Sequence, residues 1–363
     1  MAKSVINNIQ TEGLRAPVIR IGAVQWIKAN LFNGVFNSIL TLVTLLFLYK
    51  VVPPFIRWAF IDSLWFSSAE QCRTGAGACW SVIPANIRFI LFGFYPHELH
   101  WRPLVAMIML VGLLLYSKNR DHWNQYLGCL WIAGLLTMGI LMRGGLFGLT
   151  PVESDQWGGL PLTLMLSFFG MIAAYPLGVL LALGRRSKMP AVKTVCILYI
   201  ELIRGVPLIS LLFMSAVLFP LFLPEGLTVN KIIRAQAAII LFTAAYIAEV
   251  VRGGLQAITR GQYEAAESLG LNYVQRMRLI ILPQALKIVI PPTVGILISA
   301  FKDTSLVVII ALYDVLKTTK SVLANPSWMG FSAEAYLFVA LIYFVCCFSM
   351  SNYSRRLEKE LHT

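Results

Sequence analysis

Charge is scarce in this chain, and acidic residues are scarcest. Of its 363 residues 13% are charged, with 17 Asp and Glu against 30 Lys and Arg. A soluble domain carries about 25% charged residues, so an ordinary water-covered surface is excluded. Histidine is rare as well: four are present, without nucleophile–base or metal-ligand spacing around them. Neither a catalytic constellation nor a metal site is expected. No G-x-x-x-x-G-K-[ST] run cradles nucleotide phosphates, so no ATP site and no other cofactor are expected on this chain. Internal repeats and low-complexity tracts are not visible. A signal-peptide pattern is missing too. The first thirty or so residues are polar and basic, too long and mixed for an n-region, so the first apolar run is expected to remain as a span.

Apolar runs fill the chain instead. It is 58% hydrophobic with mean hydropathy +0.73. A run of roughly 18 apolar residues can cross a bilayer. The runs near 32–49, 103–116, 126–142, 160–183, 195–223, 236–251, 286–312 and 336–350 predict an all-α integral membrane protein with about eight transmembrane helices. The fifth run is too long for one plain crossing and contains Pro207. Pro53 and Pro54 are expected in a polar loop after the first span. The short run 87–94 is expected at the membrane interface, with Trp101 and Arg102 as anchors of the second span. The Gly-rich loop near 143–159 suggests a boundary. It divides a three-span region, 31–150, from a five-span core, 151–353, with 1–30 and 354–363 as cytoplasmic ends.

The net charge of +13 raises nucleic acid as a partner, but the basic residues form no single patch. Lys3, Arg15, Arg20 and Lys28 precede the first span. Lys118 and Arg120, then Arg185, Arg186, Lys188 and Lys193, then Arg260, Arg276 and Arg278, then Arg355, Arg356 and Lys359 occupy alternate connections. The remaining loops hold Asp62, Glu70, Glu153, Asp155, Glu225 and Glu334. This is the positive-inside pattern, with both termini in the cytoplasm. Four cysteines lie in apolar runs; Cys72 and Cys79 lie in a polar loop, and a disulfide between them is expected if that loop faces an oxidising compartment.

One connection is unusual: EAAESLGLNYVQRMRLIILP, from Glu264 to Pro283. It reads as two short helices. Thr259 and Gln262 have capping-box spacing, and Glu264 is placed in the first turn. Ala265, Ala266 and Leu269 form a small apolar face, and Gly270 suits a left-handed stop. Asn272 and Gln275 cap a second helix, which carries Arg276 and Arg278 and ends before Pro283. By periodicity and caps alone an ordinary folded loop is the plainer reading; a knob for a partner's groove is the other.

Charges also occur inside the last five runs, where they are costly and functional by default. Glu201 with Arg204, and Glu249 with Arg252, are three residues apart and able to pair on one helix face. Lys302 and Asp303 point about 100° apart on a helix. With Thr304 and Ser305 they make either a polar collar for a zwitterion or two cross-helix salt bridges.

The spacing E-A-A-x3-G-x9-I-x-L-P, here Glu264, Ala265, Ala266, Gly270, Ile280, Leu282 and Pro283, resembles the cytoplasmic loop of permease subunits in bacterial ABC importers. With ELIRGVP, YIAEVVRGG and FKDTSL in the same order, the last five spans resemble polar amino acid permeases of that class. The three extra N-terminal spans look like the longer permease subunit of the general L-amino acid transporters. The resemblance implies a five-helix type I ABC importer core preceded by three extra helices, in a bacterial inner membrane. It implies an ATPase dimer that binds ATP and Mg on a partner chain, a second permease subunit of different sequence, and a periplasmic amino-acid-binding protein. Glu264, Ala265, Ala266, Gly270, Leu271 and Arg276 would meet the ATPase. Lys302, Asp303, Thr304 and Ser305 would line the substrate path, with Glu249 near it. Two other readings stand beside it: a secondary transporter driven by an ion gradient, using Lys302, Asp303 and Glu249, and a membrane scaffold without transport.

Overall fold

The computed structural model describes residues 22–362. Lys3, Arg15 and Arg20, used above for orientation, lie outside the described residues. The chain forms two compact units, one from the residues up to 64 with 74–78, the other from 65–73 and the residues from 79 onward.

The first unit contains α1 (Ala23–Leu31) and α2 (Val35–Ile56), which runs on through a π-type turn, Arg57–Ile61. Pro53 and Pro54 therefore lie inside a helix rather than in a loop. Their missing N–H groups would break a helix in water. An apolar stretch has no polar loop to turn to, so the helix is kept through both prolines. Just beyond them the Arg57 N–H is shared between the Pro53 and Pro54 carbonyls.

The second unit begins with α3 (Ala69–Thr74), α4 (Val82–Phe92), α5 (Trp101–Ser117) and α6 (Tyr126–Arg143). It continues with α7 (Gly159–Arg185), α8 (Pro190–Gly205), α9 (Leu208–Phe213), α10 (Phe219–Leu221) and α11 (Lys231–Ala257). After α12 (Arg260–Ser268) and α13 (Tyr273–Arg276) come α14 (Leu282–Asp303), α15 (Val315–Leu323) and α16 (Ser332–His362). Among the described residues of both units, seven helices are long and apolar enough to cross a membrane. The segments 190–205 and 208–221, bent by 104° around Pro207, make an eighth if they are one span.

α7, α11 and α14 are the centre. Ala174, Ala182, Ala244, Ala248 and Ala285 are buried where these helices meet. Small side chains let membrane helices approach closely. At Gly254 an added Cβ would lie 2.8 Å from the Ala285 carbonyl oxygen, so only glycine fits there. Across the expected boundary at 150, α5 and α6 pack through Leu113, Leu135 and Met138, and this cluster meets Leu164 and Phe168 of α7. Arg102, expected as an interfacial anchor, is 3% exposed and donates to the Thr150 carbonyl at 2.7 Å and its hydroxyl at 2.9 Å. Two acceptors in one turn make that burial affordable. α4 is likewise no surface helix; Val82 and Ile90 are buried with Val315 and Val339. Cys72 and Cys79 are joined in a disulfide. The Cys79 N–H donates to buried Glu334 at 2.9 Å, tying that loop to the start of α16. α16 passes through residue 354 without interruption, so the expected tail is its continuation.

A pinned corner fixes the end of α14. After Asp303 the chain tightens into a 3-10 turn, Thr304–Ile310, and Tyr313–Asp314 pair in parallel with Gly158 and Gly159. Gly159 has φ +67, and an added Cβ would strike the Leu91 carbonyl. Buried Asp314 caps α15 by accepting from Leu316 N at 3.2 Å and Lys317 N at 2.9 Å. Burial outweighs these bonds and pushes its carboxyl up to about 6.

Candidate functional site

The polar connection between α11 and α14 differs in detail from its sequence reading. Thr259 precedes α12 but its side chain makes no capping bond: the Gln262 N–H closes on the Thr259 carbonyl at 3.1 Å, and the Gln262 side chain accepts from Gln284 of α14 at 3.0 Å. Glu264 lies beyond the first turn and pairs with Arg260 at 3.3 Å. The middle follows expectation. Gly270 has φ +72, and its N–H and that of Leu271 close on the Glu267 and Ala266 carbonyls at 2.9 and 3.3 Å. Asn272 and Gln275 form the full reciprocal capping box. The second helix does not stop before Pro283. It passes through a π-type turn, Met277–Ile281, into α14, so Pro283 lies within a continuous helical run just past that turn. The small apolar face is split. Ala266 is buried, Ala265 is exposed, and Leu269 and Val274 stand 75% and 67% exposed.

The inner side of this segment is tied to the core by Tyr263, which sequence reading did not single out, by Arg186, singled out only for its charge, and by Arg276, expected to meet the ATPase. The Tyr263 hydroxyl donates to the Leu255 carbonyl at 3.2 Å. Arg186 donates to the same carbonyl at 2.9 Å and to the Tyr263 hydroxyl at 3.1 Å. Arg276 lies 6.0 Å from the ring centres of both Tyr263 and Tyr273 and pairs with Glu267. Arg276 thus faces inward, with its side chain 14% exposed.

One residue earlier, Arg185 enters a second cluster. It reaches Glu201 at 2.8 Å and Glu249 at 3.3 Å. Glu249 also takes both oxygens to Arg252 Nε, at 2.9 and 3.0 Å. Arg204 is 4.0 Å from Glu249 and lies 5.6 Å over the Tyr246 ring. The pair expected between Glu201 and Arg204 is therefore replaced by Glu201 with Arg185: a neighbouring helix end brings a guanidinium closer than the same helix does. The Glu249–Arg252 pair forms as its spacing suggests. Glu249 is held by three arginines, so its charge is already used.

The stretch Lys302–Ser305 is not a continuous collar. Thr304 is fully buried and donates to the Phe301 carbonyl at 2.7 Å, marking the switch from α-helix to 3-10 turn. Lys302 is exposed, and Asp303 and Ser305 are half-buried. Among the described residues neither Lys302 nor Asp303 has an ion-pair partner, so the cross-helix salt bridges do not form. Asp303 instead ends a cleft of about 500 Å³ between α11 and α14. Thr243 and Tyr246 line one wall, Pro292, Gly295 and Ser299 the other. That volume suits a small polar molecule. Tyr246 and Ser299 were not singled out by sequence reasoning. Their signal was helical spacing, Tyr246 one turn before Glu249 and Ser299 one turn before Asp303.

A membrane-spanning helical frame thus carries a polar segment with outward apolar residues at one end and a cleft ending in an unpaired carboxylate. This is the organisation of a transport permease. Residues 174–363 match the family of binding-protein-dependent transport system inner membrane components, and the chain belongs to that family. Its fold is that of a type I ABC importer permease, which sets aside the ion-gradient carrier. The chain is 47% identical over 345 residues to the inner membrane amino-acid ABC transporter permease protein YhdY of Escherichia coli K12, covering 94% of each. It is 38% identical over 415 aligned positions to the glutamate/glutamine/aspartate/asparagine transport system permease protein BztC of Rhodobacter capsulatus, covering 95% of each. A crystal structure of an amino acid ABC transporter with histidines is similar at TM-score 0.50 and 30% identity, over 56% of this chain and 92% of that one.

Proposed function

We propose that this chain is the permease subunit of an ATP-driven importer of polar L-amino acids, worked by a separate ATPase dimer that docks on α12 and α13. The observation that carries this reading is a continuous helical rod. From Tyr273 the backbone stays helical through the π-type turn to Asp303, so one element joins the docking segment to the cleft. ATP and Mg belong to the partner ATPase. The pattern of basic connections supports a docking segment and both termini in the cytoplasm. A wide cleft of about 960 Å³ at the other end of the core, lined by Arg143, Glu153, Asp155 and Lys231, is the face for a periplasmic amino-acid-binding protein. The amino-acid names of the relatives support the substrate class.

In the cleft Asp303 takes the substrate ammonium, with the Thr243 and Ser299 hydroxyls beside it. Lys302, exposed at the same turn, supplies a cation for the carboxylate once a second permease subunit of different sequence covers the cleft. Thr304 and Ser305 shape that turn. Glu249 acts through the arginines that it holds rather than by touching substrate.

The test is ATP-driven uptake in proteoliposomes containing the full complex, with Gly270→Val in the permease. No atom of this chain lies within 4 Å of a Cβ at Gly270, so within the chain the change acts through its φ of +72. A β-branched residue there costs at least about 1–2 kcal/mol in the docking turn. Uptake is expected to fall about tenfold or more. Wild-type uptake that persists without ATP and collapses with an ionophore would overturn the reading.

A further inference from the structure

We propose that Arg185 and Arg186 form a two-armed link that carries movement of the ATPase-docking segment to the charge cluster around Glu249. This rests on the permease reading given above and assigns to it the residues that transmit motion.

The two arginines are neighbours at the last turn of α7. Adjacent side chains on a helix diverge by about 100°, so the pair can serve two directions from one rigid support. Arg186 serves the docking side. It holds the Tyr263 hydroxyl of α12 at 3.1 Å and the Leu255 carbonyl of α11 at 2.9 Å, and Tyr263 donates to that same carbonyl at 3.2 Å. Its guanidinium also lies 5.7 Å over the Tyr263 ring. Three groups thus close a ring between α7, α11 and α12. Arg185 serves the other side, joining Glu201 of α8 to Glu249 of α11 at 2.8 and 3.3 Å. Glu249 holds Arg204, whose guanidinium covers Tyr246, a wall of the Asp303 cleft.

A displacement of α12 therefore has to move Arg186 or break both hydrogen bonds of the Tyr263 hydroxyl, to the Leu255 carbonyl and from Arg186. Moving the end of α7 alters the distance from Arg185 to both carboxylates. Those contacts are charge-assisted and stronger than neutral ones. They also tie α8, which ends at the Pro207 bend, to α11, which lines the cleft. Contiguous packed and hydrogen-bonded groups carry coupling only where a two-state element is biased by both ends. Here the docking turn is one end and the arginine-held Glu249 the other. The second tie from α12 to α14, Gln262 to Gln284 at 3.0 Å, bypasses the arginines. It supplies an internal comparison.

The experiment measures ATP hydrolysed per amino acid imported by the reconstituted full complex, with recovery of the ATPase subunit on the purified permease as the control for assembly. Arg186→Ala and Arg185→Gln are each expected to raise the ratio about tenfold, within the usual range of coupling between sites. Tyr263→Phe keeps the ring and loses the hydroxyl. Combined with Arg186→Ala it is expected to add less than about twofold, because both remove one shared contact. Gln284→Ala is expected to change the ratio by less than about twofold. A ratio unchanged in both arginine variants, or raised equally by Gln284→Ala, overturns the link while leaving the permease reading intact. Wild-type complex without ATP-driven uptake overturns both together.

Discussion

The two ends of the permease core treat charge in opposite ways. Near the docking segment, Arg185, Arg204 and Arg252 surround Glu201 and Glu249 within a single network. At the far end of α14, Lys302 and Asp303 stand next to each other in sequence and have no ion-pair partner among the described residues. Neutralised charges in a membrane protein hold helices together; an intramembrane charge left alone is available to something not yet bound. The difference separates a structural cluster from a candidate binding group although both use the same residue types.

Breaking each end should give different phenotypes. Asp303→Asn removes the charge without stranding a partner. ATP-driven uptake is expected to fall roughly ten- to a hundredfold, the worth of a charge-assisted hydrogen bond, with stability changed by less than about 0.5 kcal/mol. Unchanged uptake would move substrate binding to the second permease chain. Glu249→Gln does the reverse and leaves three guanidiniums facing one another. A loss of about 3 kcal/mol is expected, below the top of the buried-pair range because these side chains are a fifth to a third exposed. Unfolding in detergent should show a Tm lower by roughly 6–12 °C; an unaltered Tm would refute the structural role.

Asp314 is the intermediate case, a buried carboxylate with hydrogen bonds but no cation. Its folded value of about 6 lies above the ordinary carboxylate value of about 3.9, so the folded state binds the proton more tightly. Its contribution is fully present below about pH 4 and is lost as pH rises through about 6, on the order of 3 kcal/mol. Asp314→Asn keeps a capping acceptor and removes the titration. The wild type should lose stability relative to this variant between about pH 4 and 6, seen as a closing or inverting Tm difference. A difference independent of pH would contradict it. Arg204→Gln should cost least, below about 0.5 kcal/mol by the same unfolding measurement, since its nearest carboxylate oxygen is 4.0 Å away. A loss as large as that of Glu249→Gln would show that the network is held as one unit.

Much of the frame was legible because it depends on local chemistry. Pro207 breaks its run since it lacks an N–H, Gly270 takes a left-handed turn since it lacks a Cβ, and the Asn272–Gln275 box closes within four residues. Errors arose where local rules competed with distant groups. Glu201 has Arg204 three residues away yet bonds Arg185, sixteen residues earlier. Thr259 has the right spacing for a capping box, but Gln262 is bonded by Gln284 from another helix. Pro53 and Pro54 suggested a loop, and the apolar surroundings kept them helical.

The sequence by itself determined the membrane class, the apolar runs, the polar segment between α11 and α14 and the left-handed turn within it. Each follows from composition or from contacts between residues a turn apart. Only the tertiary structure decided which carboxylates are already spent, which one opens into the cleft, and that two adjacent arginines face different neighbours. Those outcomes depend on how α7, α11 and α14 bring groups dozens of residues apart within hydrogen-bonding distance, and no spacing along the chain encodes that distance.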